Sequence, residues 1–152
     1  MSLFSQAISM INRRFPAREV SAHCDVPCGL YDPQTAQLAA QTVLVMVQKI
    51  QALPSPSANS TAAEVAAYSN TVGRMVTTKE EHAQKAKSEL LILWSDYFKP
   101  NHLAMFPDLH TTFWNAAKLC SKNKQEVNLQ AAEELVATCT AVAEMFVKSK
   151  QG

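Results

Sequence analysis

Glycine is scarce in this chain, with three residues among 152, and charged residues make up only 18 % of it. So little glycine, few runs of β-branched residues, and abundant alanine, leucine, glutamine, lysine and glutamate favour helices over strands. The formal net charge of +1 argues against a broad nucleic-acid-binding surface, and the 47 % apolar content argues against disorder. The length allows one domain with one sizeable core.

Long apolar runs are also absent. No run approaches the roughly 18 residues that a membrane-spanning helix needs, so the sequence predicts no membrane partner.

The apolar pattern of residues 1–15 is interrupted by Gln6, Ser9 and Asn12, which is not typical of a secretory signal. A cytoplasmic location is therefore expected. Export or organellar transit stays open, because Val20-Ser21-Ala22 could be cut by a signal peptidase and Arg13-Arg14-Phe15 is similar to a twin-arginine signal.

A cluster of metal-binding residue types occupies residues 23–33, His-Cys-Asp-Val-Pro-Cys-Gly-Leu-Tyr-Asp-Pro. His23, Cys24 and Cys28 place an imidazole and two thiols within six positions, followed by a glycine that lets the backbone curl. Such donors bind late transition metals, so we interpret the run as a metal-binding hook. Half of a zinc site or a redox pair of cysteines are the alternatives, and the residues alone leave the metal open.

The other two cysteines, Cys120 and Cys139, are isolated within helix-like segments. A helix-rich chain of this length needs no disulfide to hold it together. We predict that both are small buried hydrophobic residues rather than ligands or disulfide partners.

Apolar residues recur at helical spacing in four segments separated by proline-containing or polar stretches. The predicted helices cover residues 33–53, 61–98, 107–121 and 126–148. Asp32 is expected to cap the first helix, and Thr61 with Glu64 to form a capping box at the start of the second. Gly73 is expected to weaken the second helix locally, and residues 122–125 to form a polar connector. The predicted fold is all-α, an antiparallel up-and-down four-helix bundle with an N-terminal metal-binding hook.

A second motif lies at residues 94–100, Trp-Ser-Asp-Tyr-Phe-Lys-Pro. Together with the hook it resembles nickel-containing superoxide dismutase in its precursor form, and the resemblance covers most of residues 23–150. It implies a removable leader at residues 1–22 and a superoxide dismutase domain at 23–152. Within that domain the hook would be 23–31 and the helical bundle 33–150.

The resemblance also implies the chemistry. A protease would cut between Ala22 and His23, and the new terminal amine, the His23 imidazole, the Cys24 amide nitrogen and the thiolates of Cys24 and Cys28 would bind one nickel ion per subunit. Nickel cycling between the oxidation states +2 and +3 would convert superoxide to oxygen and hydrogen peroxide. A homohexamer is implied too. The rival hypotheses are a metallochaperone or zinc-binding helical protein without turnover, and a metal-free thiol redox protein.

By the same resemblance, Tyr31 would stand over the open face of the metal, and Tyr97 would lie beside the hook. Lys99 would attract superoxide by its charge. Asp25, inside the hook, completes the set of candidate catalytic residues. The Val26-Pro27 peptide bond is expected to be cis, as in the family.

One position departs from the family pattern. A glutamate early in the first helix of known members holds the histidine imidazole and is itself held by an arginine. Here the matching positions are Ala39 and Arg74, so the carboxylate is missing. Gln37, Gln41 or a neighbouring subunit could supply a substitute group.

Overall fold

The computed structural model describes residues 30–151, which form four α-helices and no strand. The predictions made for residues 1–29 lie outside this range. The helices are α1 (Gln34–Ala52), α2 (Ala62–Ile92), α3 (Leu109–Gln125) and α4 (Leu129–Ser149). Helix α2 continues into a π-helical turn at Leu93–Tyr97, and a short 3-10 helix follows at Pro100–Ala104.

The four helices form a ring. Each packs against its neighbour in sequence, and α1 also packs against α4. Helices that follow one another in the chain pack side by side, as antiparallel neighbours do, and the predicted up-and-down bundle is confirmed. The core is made of apolar side chains from all four helices, among them Val43, Ala86, Phe113, Leu135 and Val142.

Local capping explains where the first two helices begin. The Asp32 carboxylate accepts a hydrogen bond from the Gln34 amide at 2.7 Å, but the N-cap position itself is Pro33, one residue later than predicted. Thr61 and Glu64 form a reciprocal capping box at the start of α2, with the Glu64 carboxylate 2.7 Å from the Thr61 amide nitrogen. Gly73 does not interrupt α2, which is continuous over its whole length.

The prediction of a polar connector at residues 122–125 is wrong, because α3 continues to Gln125. The polar residue Asn123 is only 1 % exposed, and its amide donates to the carbonyls of Leu119 at 3.0 Å and Ala131 at 2.8 Å. It therefore ties the end of α3 to α4. The true connection is shorter, and α4 begins at Leu129 after the Asn128 side chain accepts from the Ala131 amide.

Lys79 on α2 donates hydrogen bonds to the C-terminal end of α3. Its side chain is 1 % exposed, and its ammonium donates to the carbonyls of Asn123, Lys124 and Glu126. A cation at this position satisfies carbonyl groups that a helix C-terminus leaves without partners. Burial lowers the pKa of Lys79, because desolvation disfavours the charged form.

Candidate functional site

The residues that the structure describes do not provide a metal site of their own. Between residues 30 and 151 no group of three or more His, Cys, Asp or Glu side chains is arranged to hold an ion. The predicted ligands His23, Cys24 and Cys28, and the candidate catalytic residue Asp25, lie outside these residues.

Cys120 and Cys139 are free thiols buried in the core, as predicted. Burial raises the pKa of Cys120 to about 11 and that of Cys139 to about 12. The charge of Lys87 opposes the shift at Cys120, whereas the neighbouring Cys120 thiol adds to the shift at Cys139. Metal ligation requires the thiolate, so both side chains are poor ligands at neutral pH.

Two candidate residues, Tyr31 and Tyr97, meet in space. Their ring centroids are 5.6 Å apart, with the rings tilted by 59°. Tyr31 lies just before α1, and Tyr97 ends the π-helical turn that follows α2. The rings are within the range of favourable aromatic contact, and both side chains are half-buried. The fold thus joins the last part of the first motif to the second motif.

The position and hydrogen bonding of Tyr97 are fixed by α4. Its hydroxyl lies 2.7 Å from the Ser149 hydroxyl, and Ser149 donates its own proton to the Phe146 carbonyl at 2.8 Å. Since a serine hydroxyl has only one proton, Tyr97 is the donor and Ser149 the acceptor. The Tyr97 ring also packs on Phe146, at 4.5 Å, and against the edge of Phe98, at 5.0 Å.

Lys99 directly follows this aromatic cluster, and its side chain is exposed. Its backbone is extended, with φ −122° and ψ 164°, and it caps the 3-10 helix. The Lys99 amide donates to Nδ1 of His102 at 3.0 Å, and the Lys99 carbonyl accepts from the His102 amide at 2.9 Å. An exposed cation at the end of a well-defined turn suits the predicted role of attracting an anion.

The position that lacks the family glutamate is in the core. Ala39 is 2 % exposed within the buried side of α1, whereas Arg74 is exposed on α2. Gln37 is half-buried and Gln41 exposed on the same helix as Ala39. Whether either glutamine substitutes for the missing carboxylate stays a prediction.

Sequence reasoning missed Ser149 and His102. Ser149 is far from the second motif in sequence, and nothing in the pattern around it indicates a contact with Tyr97. His102 did carry a signal, because a side-chain acceptor three residues after a helix-capping residue is the spacing of a capping box. A third missed contact joins Trp94 to His110, whose Nδ1 accepts from the indole nitrogen at 2.9 Å.

The sequence model of a family described as nickel-containing superoxide dismutase matches residues 18–150. The chain belongs to this family. It is 33 % identical to superoxide dismutase [Ni] from Streptomyces seoulensis and 31 % identical to that from Streptomyces coelicolor, each over 143 residues that span 93 % of this chain and 99 % of the relative.

Solved structures agree with this assignment. The native nickel superoxide dismutase structure is 28 % identical to this chain, with a TM-score of 0.71. A structure with nickel ligation corresponding to the oxidised state is 31 % identical, with a TM-score of 0.70. Each comparison covers 86 % of this chain and all of the solved one. As a member of the nickel superoxide dismutase family, the protein is an oxidoreductase that acts on superoxide and uses nickel as its cofactor.

None of the helices in residues 30–151 is both long enough and apolar enough to cross a membrane.

Proposed function

We propose that the chain disproportionates superoxide to oxygen and hydrogen peroxide at one nickel ion per subunit, held by His23, Cys24 and Cys28 after residues 1–22 are removed. The observation that carries this proposal is the family match over residues 18–150, which includes both motifs. The donor chemistry supports it. Cys120 and Cys139 are buried and protonated, so Cys24 and Cys28 are the thiols left to supply thiolate ligands.

When bound, nickel would supply one-electron redox chemistry between the oxidation states +2 and +3. The contribution of the hook is its set of nitrogen and thiolate donors, which suits square-planar Ni(II). Cleavage before His23 turns an amide nitrogen into an amine, which is a far better ligand once it has lost a proton. The leader thereby keeps the chain inactive until it is removed by a protease.

The tyrosine pair and Lys99 support the hook. Tyr31 would limit access to nickel held by the hook, and Tyr97 contacts Tyr31 through the ring pair at 5.6 Å. Lys99 attracts the superoxide anion. Asp25, within the hook, is the remaining candidate catalytic residue. Restricted access matters because a small anionic substrate must reach the metal while larger reductants are excluded.

The enzyme works in the cytoplasm as a homohexamer, and its partners are superoxide and the leader protease. Exposed apolar side chains on two helices support assembly, with Leu38 on α1 67 % exposed and Val147 on α4 54 % exposed. Burial of such side chains between subunits would remove apolar surface from water.

The test compares two nickel-reconstituted proteins, the full chain and a chain that starts at His23. Superoxide consumption and nickel content are measured for both, with Cys28→Ser in the shorter chain as a control that removes one ligand. We expect activity and stoichiometric nickel only in the His23-start protein. If both proteins bind metal and neither consumes superoxide, the metal-carrier hypothesis replaces the enzyme.

A further inference from the structure

We propose that His102 is a positioning residue that holds Tyr97 and Lys99 in a fixed mutual arrangement. This inference rests on the proposed function, which assigns roles to those two residues. His102 belongs to the 3-10 helix Pro100–Ala104 and is half-buried. Its imidazole makes a different kind of contact with each of the two.

Toward Lys99 the contact is a hydrogen bond. The Lys99 amide donates to His102 Nδ1 at 3.0 Å, and the His102 amide returns a bond to the Lys99 carbonyl at 2.9 Å. An amide at the start of a helix has no partner within the helix, so the imidazole satisfies a group that water would otherwise compete for. These two bonds define the direction in which the Lys99 side chain leaves the backbone.

Toward Tyr97 the contact is a stacked ring. The centroids of His102 and Tyr97 are 5.9 Å apart and their planes differ by only 18°. Phe98 meets the His102 ring edge-on at 5.6 Å, with the planes at 86°. The His102 ring thus packs against both aromatic residues that precede Lys99.

The two contacts require one orientation of the imidazole. Nδ1 must be the acceptor for Lys99, so in the neutral ring the proton is on Nε2. A ring turned about its axis would lose the hydrogen bond, and a ring moved aside would lose the stack. His102 therefore couples the backbone of the candidate anion-attracting residue to the ring of the tyrosine that contacts Tyr31.

The test separates the two contacts with two variants. His102→Gln keeps a side-chain acceptor at the third residue of the 3-10 helix, where glutamine is common in capping boxes, but removes the ring. His102→Phe keeps a ring and removes the acceptor. Hydrogen exchange of the Lys99 amide is measured by NMR in the metal-free full chain. Superoxide kcat/KM is measured against ionic strength in the active nickel-loaded enzyme, with Lys99→Gln as the reference for loss of the charge.

For His102→Phe we expect Lys99 amide exchange to accelerate at least about tenfold, and kcat/KM to fall about two- to fivefold with a weaker salt dependence, because a mobile cation steers an anion less well. For His102→Gln we expect a protected Lys99 amide and an unchanged salt dependence, together with a lower kcat. Far-ultraviolet circular dichroism checks that both variants retain their helices.

The inference is overturned if His102→Phe leaves both amide exchange and salt dependence as in the wild type while Lys99→Gln slows the enzyme. The proposed role of Lys99 then stands without His102. If Lys99→Gln itself has the wild-type rate and salt dependence, the proposed function of Lys99 fails, and the positioning role of His102 toward it fails with it.

Discussion

Replacing Lys79 by methionine tests whether the buried ammonium stabilises the fold. Methionine has a similar length and flexible shape, so the packing around the side chain is largely kept. What is lost is the donor to the three carbonyls of Asn123, Lys124 and Glu126 at the end of α3.

Two opposing terms set the size of the effect. Hydrogen bonds from a charged donor contribute about 1.5–3 kcal/mol each, and carbonyls left without a donor in a buried site add a penalty. Against this, burying an ammonium is costly, on the order of several kcal/mol in general. The pKa of Lys79 is lowered because burial disfavours the charged form. Lys79→Met removes the burial cost but also leaves the three carbonyls without a donor, and breaking a buried polar arrangement by removing one partner is the larger effect. We therefore expect Lys79→Met to lower the free energy of unfolding by about 2–3 kcal/mol.

The pH dependence has a definite sign. Because the folded-state pKa of Lys79 lies below its ordinary value of 10.5, the unfolded chain binds more protons between the two values. The stability of the wild type therefore rises relative to Lys79→Met as the pH increases through that window. Other titrating groups are common to both proteins and cancel in the difference.

The measurement is urea unfolding of the metal-free full chain at several pH values from 7 to 10. Lys85→Met, an exposed position on the same helix, is the matched control and should change stability by less than about 0.5 kcal/mol. If Lys79→Met is as stable as the wild type at neutral pH, the cost of burying the charge exceeds the gain from its bonds, and our reasoning is wrong.

Two further predictions concern the core. Asn123→Ala removes the donor to the carbonyls of Leu119 and Ala131, and urea unfolding should show a loss of about 1–3 kcal/mol; a change below about 0.5 kcal/mol would mean that water replaces the amide. Cys139→Ser puts a hydroxyl into a site that is 1 % exposed, and the same assay should show a loss of about 1–3 kcal/mol, with Cys139→Ala as the control for cavity formation.

Periodicity and capping signals predicted most of the fold. The start of α1 at Asp32-Pro33 and the capping box of Thr61 are local features, so a short stretch of sequence contains all the information. The end of α3 could not be predicted in this way. Asn123 looks like a connector residue until its partner Lys79, on a different helix, is known.

The candidate site, like the fold, has parts that local sequence predicts and parts that it does not. Both motifs and the ligand hypothesis came from short runs of sequence and from the family resemblance, and the family match confirms the resemblance. The contact of Tyr97 with Ser149 depends on where α4 ends relative to the π-helical turn, which no local pattern specifies. The single-turn widening of α2 at Leu93–Tyr97 was likewise not predicted, since its sequence is compatible with an ordinary α-helix.

The burial of Cys120 and Cys139 has a consequence for the durability of an enzyme that releases hydrogen peroxide. Peroxide oxidises thiolates, not thiols. With pKa values of about 11 and about 12, the fraction of each residue present as thiolate at neutral pH is on the order of 10⁻⁴ or below. The core can therefore contain sulfur without being oxidised by peroxide. Under the proposed function, oxidative damage would fall instead on the thiolates of Cys24 and Cys28.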